Sequence, residues 1–139
     1  MALELVIVTP QGQAFRDQVE TVVLPGTEGD FGVLPGHEAL LATLRIGPVE
    51  IQPASGAKRF AAVSRGYAEV LDDVVTVMVG TCEFADEIDR GRAESARERA
   101  ARQLEELRKT ADGREIWRQY QDAYSRALTR IAVSDRFKS

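Results

Sequence analysis

The stretch GYAEVLDDVVTVMV, residues 66–79, carries the clearest fold signal in this sequence. Two short strand-like runs, Tyr67–Leu71 with alternating buried-type residues and the valine-rich Val74–Val79, flank the pair Asp72-Asp73. Valine favours strands, and an acidic pair between two such runs favours a tight turn. The stretch therefore predicts two antiparallel strands joined as a hairpin at Asp72-Asp73.

The same pattern extends towards the start of the chain. Further strand-like runs are Leu3–Val8, Val19–Leu24, Val49–Ile51 and Lys58–Val63, each bounded by glycine, proline or serine. Turn signals recur about every 8–12 residues, which is typical of an antiparallel sandwich or barrel. Residues 1–85 are therefore predicted to form one β domain.

After residue 85 the hydrophobic period changes from that of strands to that of a helix. The first apolar stripe, with steps of three and four residues, comprises Ala93, Ala96, Ala100, Leu104, Leu107 and Ala111. After Asp112-Gly113 a second stripe comprises Ile116 or Trp117, Tyr120, Tyr124, Leu128 and Ile131. Such stripes mark the buried faces of amphipathic helices. Residues 86–139 are therefore predicted to form an antiparallel helical hairpin.

Composition and charge exclude several classes of protein. The chain of 139 residues is 44% hydrophobic and carries a net charge of −4, which disfavours a nucleic-acid-binding role. Residues 1–85 hold 5 Lys+Arg against 11 Asp+Glu, whereas residues 86–139 hold 13 against 11, which indicates a division of roles. No apolar run approaches the length of a transmembrane helix. A lone cysteine, Cys82, and the absence of signal-peptide features favour a reducing cytoplasm.

Three motifs, in order, resemble the epsilon subunit of bacterial F-type ATP synthases. They are GTEGDFGVLPGHEALLATLRIG (Gly26–Gly47), SRGYAEVLDDVVTVM (Ser64–Met78) and EIDRGRA (Glu87–Ala93). The resemblance covers nearly the whole chain. It implies an antiparallel β-sandwich of about ten strands followed by two helices, in a subunit that is not an enzyme.

The resemblance also implies a function and a set of partners. The sandwich would bind the gamma subunit and the c-ring, completing the rotor stalk on the cytoplasmic side of the inner (plasma) membrane as a peripheral part. The helices would extend along gamma to the alpha and beta subunits of the catalytic head and inhibit ATP hydrolysis. In some members the folded hairpin binds ATP, so ATP is implied as a regulatory ligand and not as a required cofactor.

The loop EGDFGVLPGH, residues 28–37, invites a chemical interpretation because it contains the only histidine of the chain. Asp30, His37 and Glu38 could in principle form a metal site or a general acid–base set. Both kinds of site normally need more such side chains than one imidazole, and neither an HExxH motif nor a nearby cysteine is present. No catalytic or metal-binding residue is therefore predicted. The resemblance instead assigns Glu28 and Asp30 to the c-ring contact and His37 to the gamma contact, as a recognition turn.

The arginine-rich tail has two interpretations. IDRGRA matches the nucleotide-associated pattern of the family at Ile88, Asp89, Arg92 and Ala93, and the ATP-binding members also agree at Glu83, Arg99, Arg126 and Arg130. Pairing of the helices would bring these four arginines together around phosphates. Alternatively, Asp89 only caps the first helix and the arginines form a solvated face with Glu94, Glu98 and Glu105. No P-loop motif is present, so hydrolysis by this chain is not expected.

Two rival functions remain at this stage. One is a free-standing nucleotide-sensing regulatory domain, which would use the same tail without rotary partners. The other is a small enzyme that uses Asp30 and His37. Neither accounts for the motifs in both halves of the chain.

Overall fold

The computed structural model describes residues 2–108 and 114–138, which form strands, one short 3-10 helix and two long α-helices. The strands are β1 (Leu3–Thr9), β2 (Gly12–Gly26), β3 (Gly29–Val33), β4 (Leu40–Leu44), β5 (Gly47–Pro53), β6 (Arg59–Val63), β7 (Gly66–Leu71), β8 (Val74–Val79) and β9 (Cys82–Phe84). The 3-10 helix spans Ala85–Glu87, and the α-helices are α1 (Arg90–Leu107) and α2 (Arg114–Lys138).

The hairpin predicted at residues 66–79 is confirmed. β7 and β8 pair antiparallel from Gly66 opposite Val79 to Leu71 opposite Val74. Asp72 and Asp73 adopt φ values of +49° and +62°, the left-handed conformation that a two-residue type I′ turn requires at both positions. Aspartate tolerates this conformation better than most residues do, which explains why the pair marks the turn.

Strand β2 joins two layers of the sheet. Its first half pairs with β1, and its second half pairs with β5 and β3. One layer, called here the front layer, consists of β4, β7, β8, β1 and the first half of β2; the back layer consists of β3, the second half of β2, β5, β6 and β9. The sequence predicted only Val19–Leu24 of this 15-residue strand, because the first half is almost entirely exposed and lacks an apolar pattern.

The predicted β-sandwich followed by two helices is confirmed, and one pair of its strands runs parallel. β1 and β8 run parallel, from Glu4 opposite Val74 to Val8 opposite Met78, so the sandwich is mixed and not wholly antiparallel. Parallel neighbours need a long connection, and here most of the domain lies between the two strands. Nine strands are present in residues 2–108, in agreement with the expectation of about ten.

The core of the sandwich lies between the two layers. In β1 the side chains of Leu3, Leu5 and Ile7 are fully buried, while the intervening residues are partly accessible. The same alternation places Val75 and Val77 of β8 in the core. At about 25 cal/mol per Å² of buried apolar surface, this large core accounts for most of the stability of the domain.

Helices α1 and α2 form the predicted antiparallel hairpin. The Arg90 guanidinium at the start of α1 bonds Asp135 near the end of α2, with Nε 2.8 Å from Oδ1. Ala93 and Ala100 of the predicted α1 stripe are buried. Ala111, Asp112 and Gly113, which the sequence placed at the junction, lie outside the described residues.

The predicted seam of α2 is partly wrong. Leu128 and Ile116 are 42% and 48% exposed, whereas Ala127, Val133 and Ser134 are buried. α2 contacts both α1 and the back layer, so its buried face is set by two neighbours and favours small residues that allow close approach. An apolar period alone does not reveal the second neighbour.

The hairpin packs on the outer face of β6. Val133 is buried in a small cluster with Ala62 and Ala85, against which Phe60 and Ile88 also pack. Ala61, one position before Ala62, points to the opposite side and belongs to the main core. The apolar contact between hairpin and sandwich is therefore separate from the core and much smaller.

Candidate functional site

A cleft of about 680 Å³ lies where α1 and α2 meet the end of the back layer. Seven of the eight residues that the sequence assigned to ATP line it: Glu83, Ile88, Asp89, Arg92, Ala93, Arg99 and Arg130. The fold thus gathers side chains that are up to 47 residues apart in the sequence. A cleft of this volume falls within the usual range of small-molecule sites.

Three separate elements position these side chains. Glu83 is held by β9, where it pairs with Ala62 of β6. Ile88 and Asp89 lie between the 3-10 helix and α1, and Asp89 Oδ1 accepts the backbone N–H of Arg92 at 3.1 Å. The capping role predicted for Asp89 is confirmed, and its carboxylate is occupied in the helix cap.

The cleft leaves two arginines available to an anion. Arg92 and Arg99 lie seven residues apart on α1, and their side chains form no ion pair within the described part of the chain. Arg130 of α2 donates from Nε to Glu83 Oε1 at 2.5 Å. Glu87 also lines the cleft, so carboxylates and guanidiniums face one another there.

Arg126 lies beside the cleft and does not line it. It borders an adjacent cavity of about 10 Å³ together with Glu83, Thr129 and Arg130. Arg126 and Arg130 are one helical turn apart, and only Arg130 reaches the larger space. The expectation that four arginines converge therefore holds for three of them.

The loop of residues 28–37 does not form a single turn. Glu28 is exposed in the β2–β3 turn, and Asp30 lies on β3, where its Oδ1 is 2.6 Å from Arg45 Nη2. His37 follows the other end of β3, with Nδ1 2.7 Å from the Glu38 carbonyl oxygen. A strand rises about 3.3 Å per residue, so Asp30 and His37 lie too far apart to act as one acid–base pair.

The described residues contain no group of three or more His, Cys, Asp or Glu side chains placed to hold a metal ion. Cys82 packs partly buried against the main core. Burial, with smaller contributions from Glu87 and Glu83, raises the pKa of its thiol to about 11. The thiol is therefore protonated at neutral pH and is a poor nucleophile.

Sequence reasoning missed an exposed apolar strip on the front layer. Leu41 of β4, Tyr67 of β7 and Met78 of β8 are 69%, 54% and 43% exposed. Tyr67 pairs with Met78, and Met78 lies opposite Val8 of β1, so the strip crosses several strands. The outward positions of strands 67–71 and 74–79 could have revealed it, since they alternate with the buried valines.

Comparison with known proteins identifies the family. The family described as ATP synthase, Delta/Epsilon chain, beta-sandwich domain matches residues 2–85. The ATP synthase epsilon chain of Syntrophobacter fumaroxidans is 42% identical over 134 residues, which cover 96% of each chain. The ATP synthase epsilon chain 2 of Syntrophotalea carbinolica is also 42% identical, over 96% of this chain and 94% of the relative.

The chain belongs to the delta/epsilon family of ATP synthase subunits. It is an epsilon-type subunit of ATP synthase and is not itself catalytic. Membership confirms the resemblance seen in the sequence. It contradicts the rival interpretation of the chain as an enzyme that uses Asp30 and His37.

A solved structure shares this fold over most of the chain. A chain in the cryo-EM structure of the Euglena gracilis mitochondrial ATP synthase, OSCP/F1/c-ring in rotational state 1, matches with a TM-score of 0.80 and 23% identity. The match covers 94% of this chain and 80% of that chain. Within the described residues, neither helix combines the length and apolar character needed to cross a membrane.

Proposed function

We propose that this subunit forms part of the rotor stalk, coupling the catalytic head to the c-ring, and that its hairpin restrains ATP hydrolysis. ATP acts as the regulatory ligand of the docked hairpin. One observation carries the regulatory part: the arginine cleft is built jointly by β9 of the sandwich, by α1 and by α2. A ligand in that cleft can contact all three only while the hairpin is docked.

The weak attachment of the hairpin supports a change of position. Its apolar contact with the sandwich centres on Val133, Ala62 and Ala85, and only Phe60 and Ile88 pack against this cluster in addition. Full burial of one valine contributes about 1.5–3 kcal/mol. The docked and released forms can therefore differ by only a few kcal/mol, which is the range that a ligand can shift.

ATP binding to the cleft would favour the docked form. Free arginines on α1 offer paired N–H donors to phosphate oxygens, and Arg130 adds a third guanidinium from α2. A ligand at ten times its Kd stabilises the form that binds it by about 1.4 kcal/mol. A higher ATP concentration would then increase the docked fraction and decrease the inhibition of hydrolysis.

The sandwich supplies the partner contacts of this proposal. Glu28 and Asp30 at one end of β3 would contact the c-ring, and His37 at the other end would contact gamma. The apolar strip of Leu41, Tyr67 and Met78 would provide a larger surface for gamma, because large apolar side chains exposed on one face mark protein interfaces. The released helices would reach the alpha and beta subunits. The subunit itself would lie on the cytoplasmic side of the inner (plasma) membrane, as a peripheral part of the synthase.

The test compares ATP hydrolysis by the assembled synthase containing either the full chain or a chain ending at residue 85. We expect faster hydrolysis with the shortened chain, because the inhibitory helices are absent. Co-purification of the shortened chain with the complex is the control for assembly. Equal rates in two fully assembled complexes would contradict a regulatory role for the hairpin.

A further inference from the structure

One side-chain contact joins the hairpin to the sandwich away from both the cleft and the apolar cluster. Arg65, in the turn between β6 and β7, donates from Nη1 to Asp122 Oδ2 at 2.9 Å and from Nη2 to Asp122 Oδ1 at 2.8 Å. These two parallel bonds give the geometry in which an arginine–carboxylate pair is strongest and most directional. The partners are 57 residues apart, so the pair exists only when the hairpin is docked.

This pair holds a part of α2 that lies far from the apolar contact with the sandwich. The apolar contact with the sandwich lies at Val133. Because an α-helix rises about 1.5 Å per residue, Asp122 lies about 16 Å from Val133 along the helix axis. Within the described residues a second ion pair between α2 and the sandwich, Arg130 with Glu83, lies between these two points. In the described part of the chain, Arg65–Asp122 is thus the ion pair that fixes the early half of α2 to the sheet.

We propose that Arg65 and Asp122 form a latch that sets the fraction of molecules with a docked hairpin. Arg65 is 59% exposed and Asp122 is 23% exposed, so water and salt reach the pair and its contribution is modest. A modest contribution is sufficient where the docked and released forms are nearly balanced. Docking concerns this chain alone, and only the consequence of the latch for hydrolysis rests on the proposed function.

The latch predicts a dependence on salt. Added salt screens accessible charges, with a screening length of about 10 Å at 0.1 M and about 3 Å at 1 M. Apolar contacts such as the Val133 cluster do not weaken in this way. Release of the hairpin by salt should therefore be reduced in a chain that lacks the latch.

The experiment measures the hairpin position in the full chain by energy transfer. Trp117 of α2, the only tryptophan, is the donor, and the acceptor is a dye on a cysteine introduced by Glu69→Cys in a Cys82→Ser background. Glu69 is exposed on the front layer, on the side away from the hairpin. We expect Arg65→Gln and Asp122→Asn each to increase the released population about two- to fivefold.

Arg16→Gln is the matched control. Arg16 and Glu4 also form an exposed ion pair, with Nε 2.8 Å from Oε1 and a 58% exposed arginine, but both residues belong to the sandwich. Arg16→Gln should leave the energy transfer unchanged. Unchanged transfer in Arg65→Gln, or an equal change in Arg16→Gln, would overturn the latch.

The charge-exchanged chain separates a specific pair from a general charge effect. Arg65→Asp combined with Asp122→Arg keeps the net charge and should restore docking relative to either substitution alone. A double variant as open as Arg65→Asp would count against the pair. If Arg65→Gln releases the hairpin and hydrolysis by the assembled synthase stays unchanged, the latch stands and the proposed regulation fails.

Discussion

At the scale of single residues, the charges of the cleft divide into occupied and available groups. Asp89 is used as a helix cap, and Glu83 is paired with Arg130. Among the three arginines that line the cleft, Arg92 and Arg99 have no acidic partner within the described residues. This geometry is compatible with both interpretations of the tail, since Asp89 caps α1 while Arg92 of the same motif and Arg99 further along α1 are exposed.

Arg99→Ala is expected to weaken ATP binding about tenfold, because hydrogen bonds to charged groups contribute about 1.5–3 kcal/mol. Calorimetric titration of the full chain with ATP measures the change. Arg118→Ala is the control, since Arg118 is exposed on α2 and lies outside the cleft. Arg126→Ala should have a smaller effect than Arg99→Ala. An affinity unchanged by Arg99→Ala would remove this arginine from the ligand site.

At the scale of elements, the accuracy of the sequence prediction depended on how local each signal was. The β7–β8 hairpin was predicted from its own residues, because the turn at Asp72-Asp73 and the flanking valines all agree. β3 and β4 were not named as strands. β3 contains two glycines, which weaken strand propensity, and β4 has no regular alternation because both Leu40 and Leu41 are exposed.

Gly66, the first residue of β7, tests how tightly the front layer is packed. A Cβ at this position would overlap the Met78 carbonyl oxygen and lie 2.8 Å from Val79 Cα, both in the backbone of β8. Because a backbone cannot move aside as a side chain can, Gly66→Ala should lower the free energy of unfolding by about 2–3 kcal/mol. Urea denaturation measures it.

Gly32→Ala provides the comparison for Gly66→Ala. Gly32 is also a strand residue, but nothing lies within 4 Å of a Cβ built on it. Its replacement should change the free energy of unfolding by less than about 1 kcal/mol. Equal losses in the two variants would show that glycine is needed at Gly66 for a reason other than its approach to β8.

At the scale of the whole molecule, the two outer faces of the sandwich differ. The back layer is covered at β6 by α2, whereas the front layer presents the apolar strip of Leu41, Tyr67 and Met78. This arrangement allows the sandwich to hold a partner on one face while the hairpin docks on the other. The proposed function requires these two attachments to be independent, because the hairpin would have to leave the sandwich while the partner stays bound.

Leu41→Asp is expected to weaken binding to gamma without destabilising the isolated chain. The Leu41 side chain is 69% exposed, so the sandwich loses little when it is replaced, whereas a charge in an apolar interface is costly. Binding to purified gamma and thermal unfolding of the chain measure the two effects. Ile116→Asp, which changes an exposed residue of α2, should leave gamma binding intact. Normal gamma binding by the Leu41→Asp chain would show that gamma does not bind at the apolar strip.

The sequence by itself determined what is local and periodic: the strands with clear valine patterns, the helical hairpin, the Asp89 cap and the family. Tertiary structure decided what depends on elements distant in the chain. It put Arg126 outside the cleft, placed Asp30 and His37 towards opposite ends of β3, and joined Arg65 to Asp122. Periodicity records which face of one element is apolar, but contacts between elements depend on how the sheet folds over and where α2 lies on it.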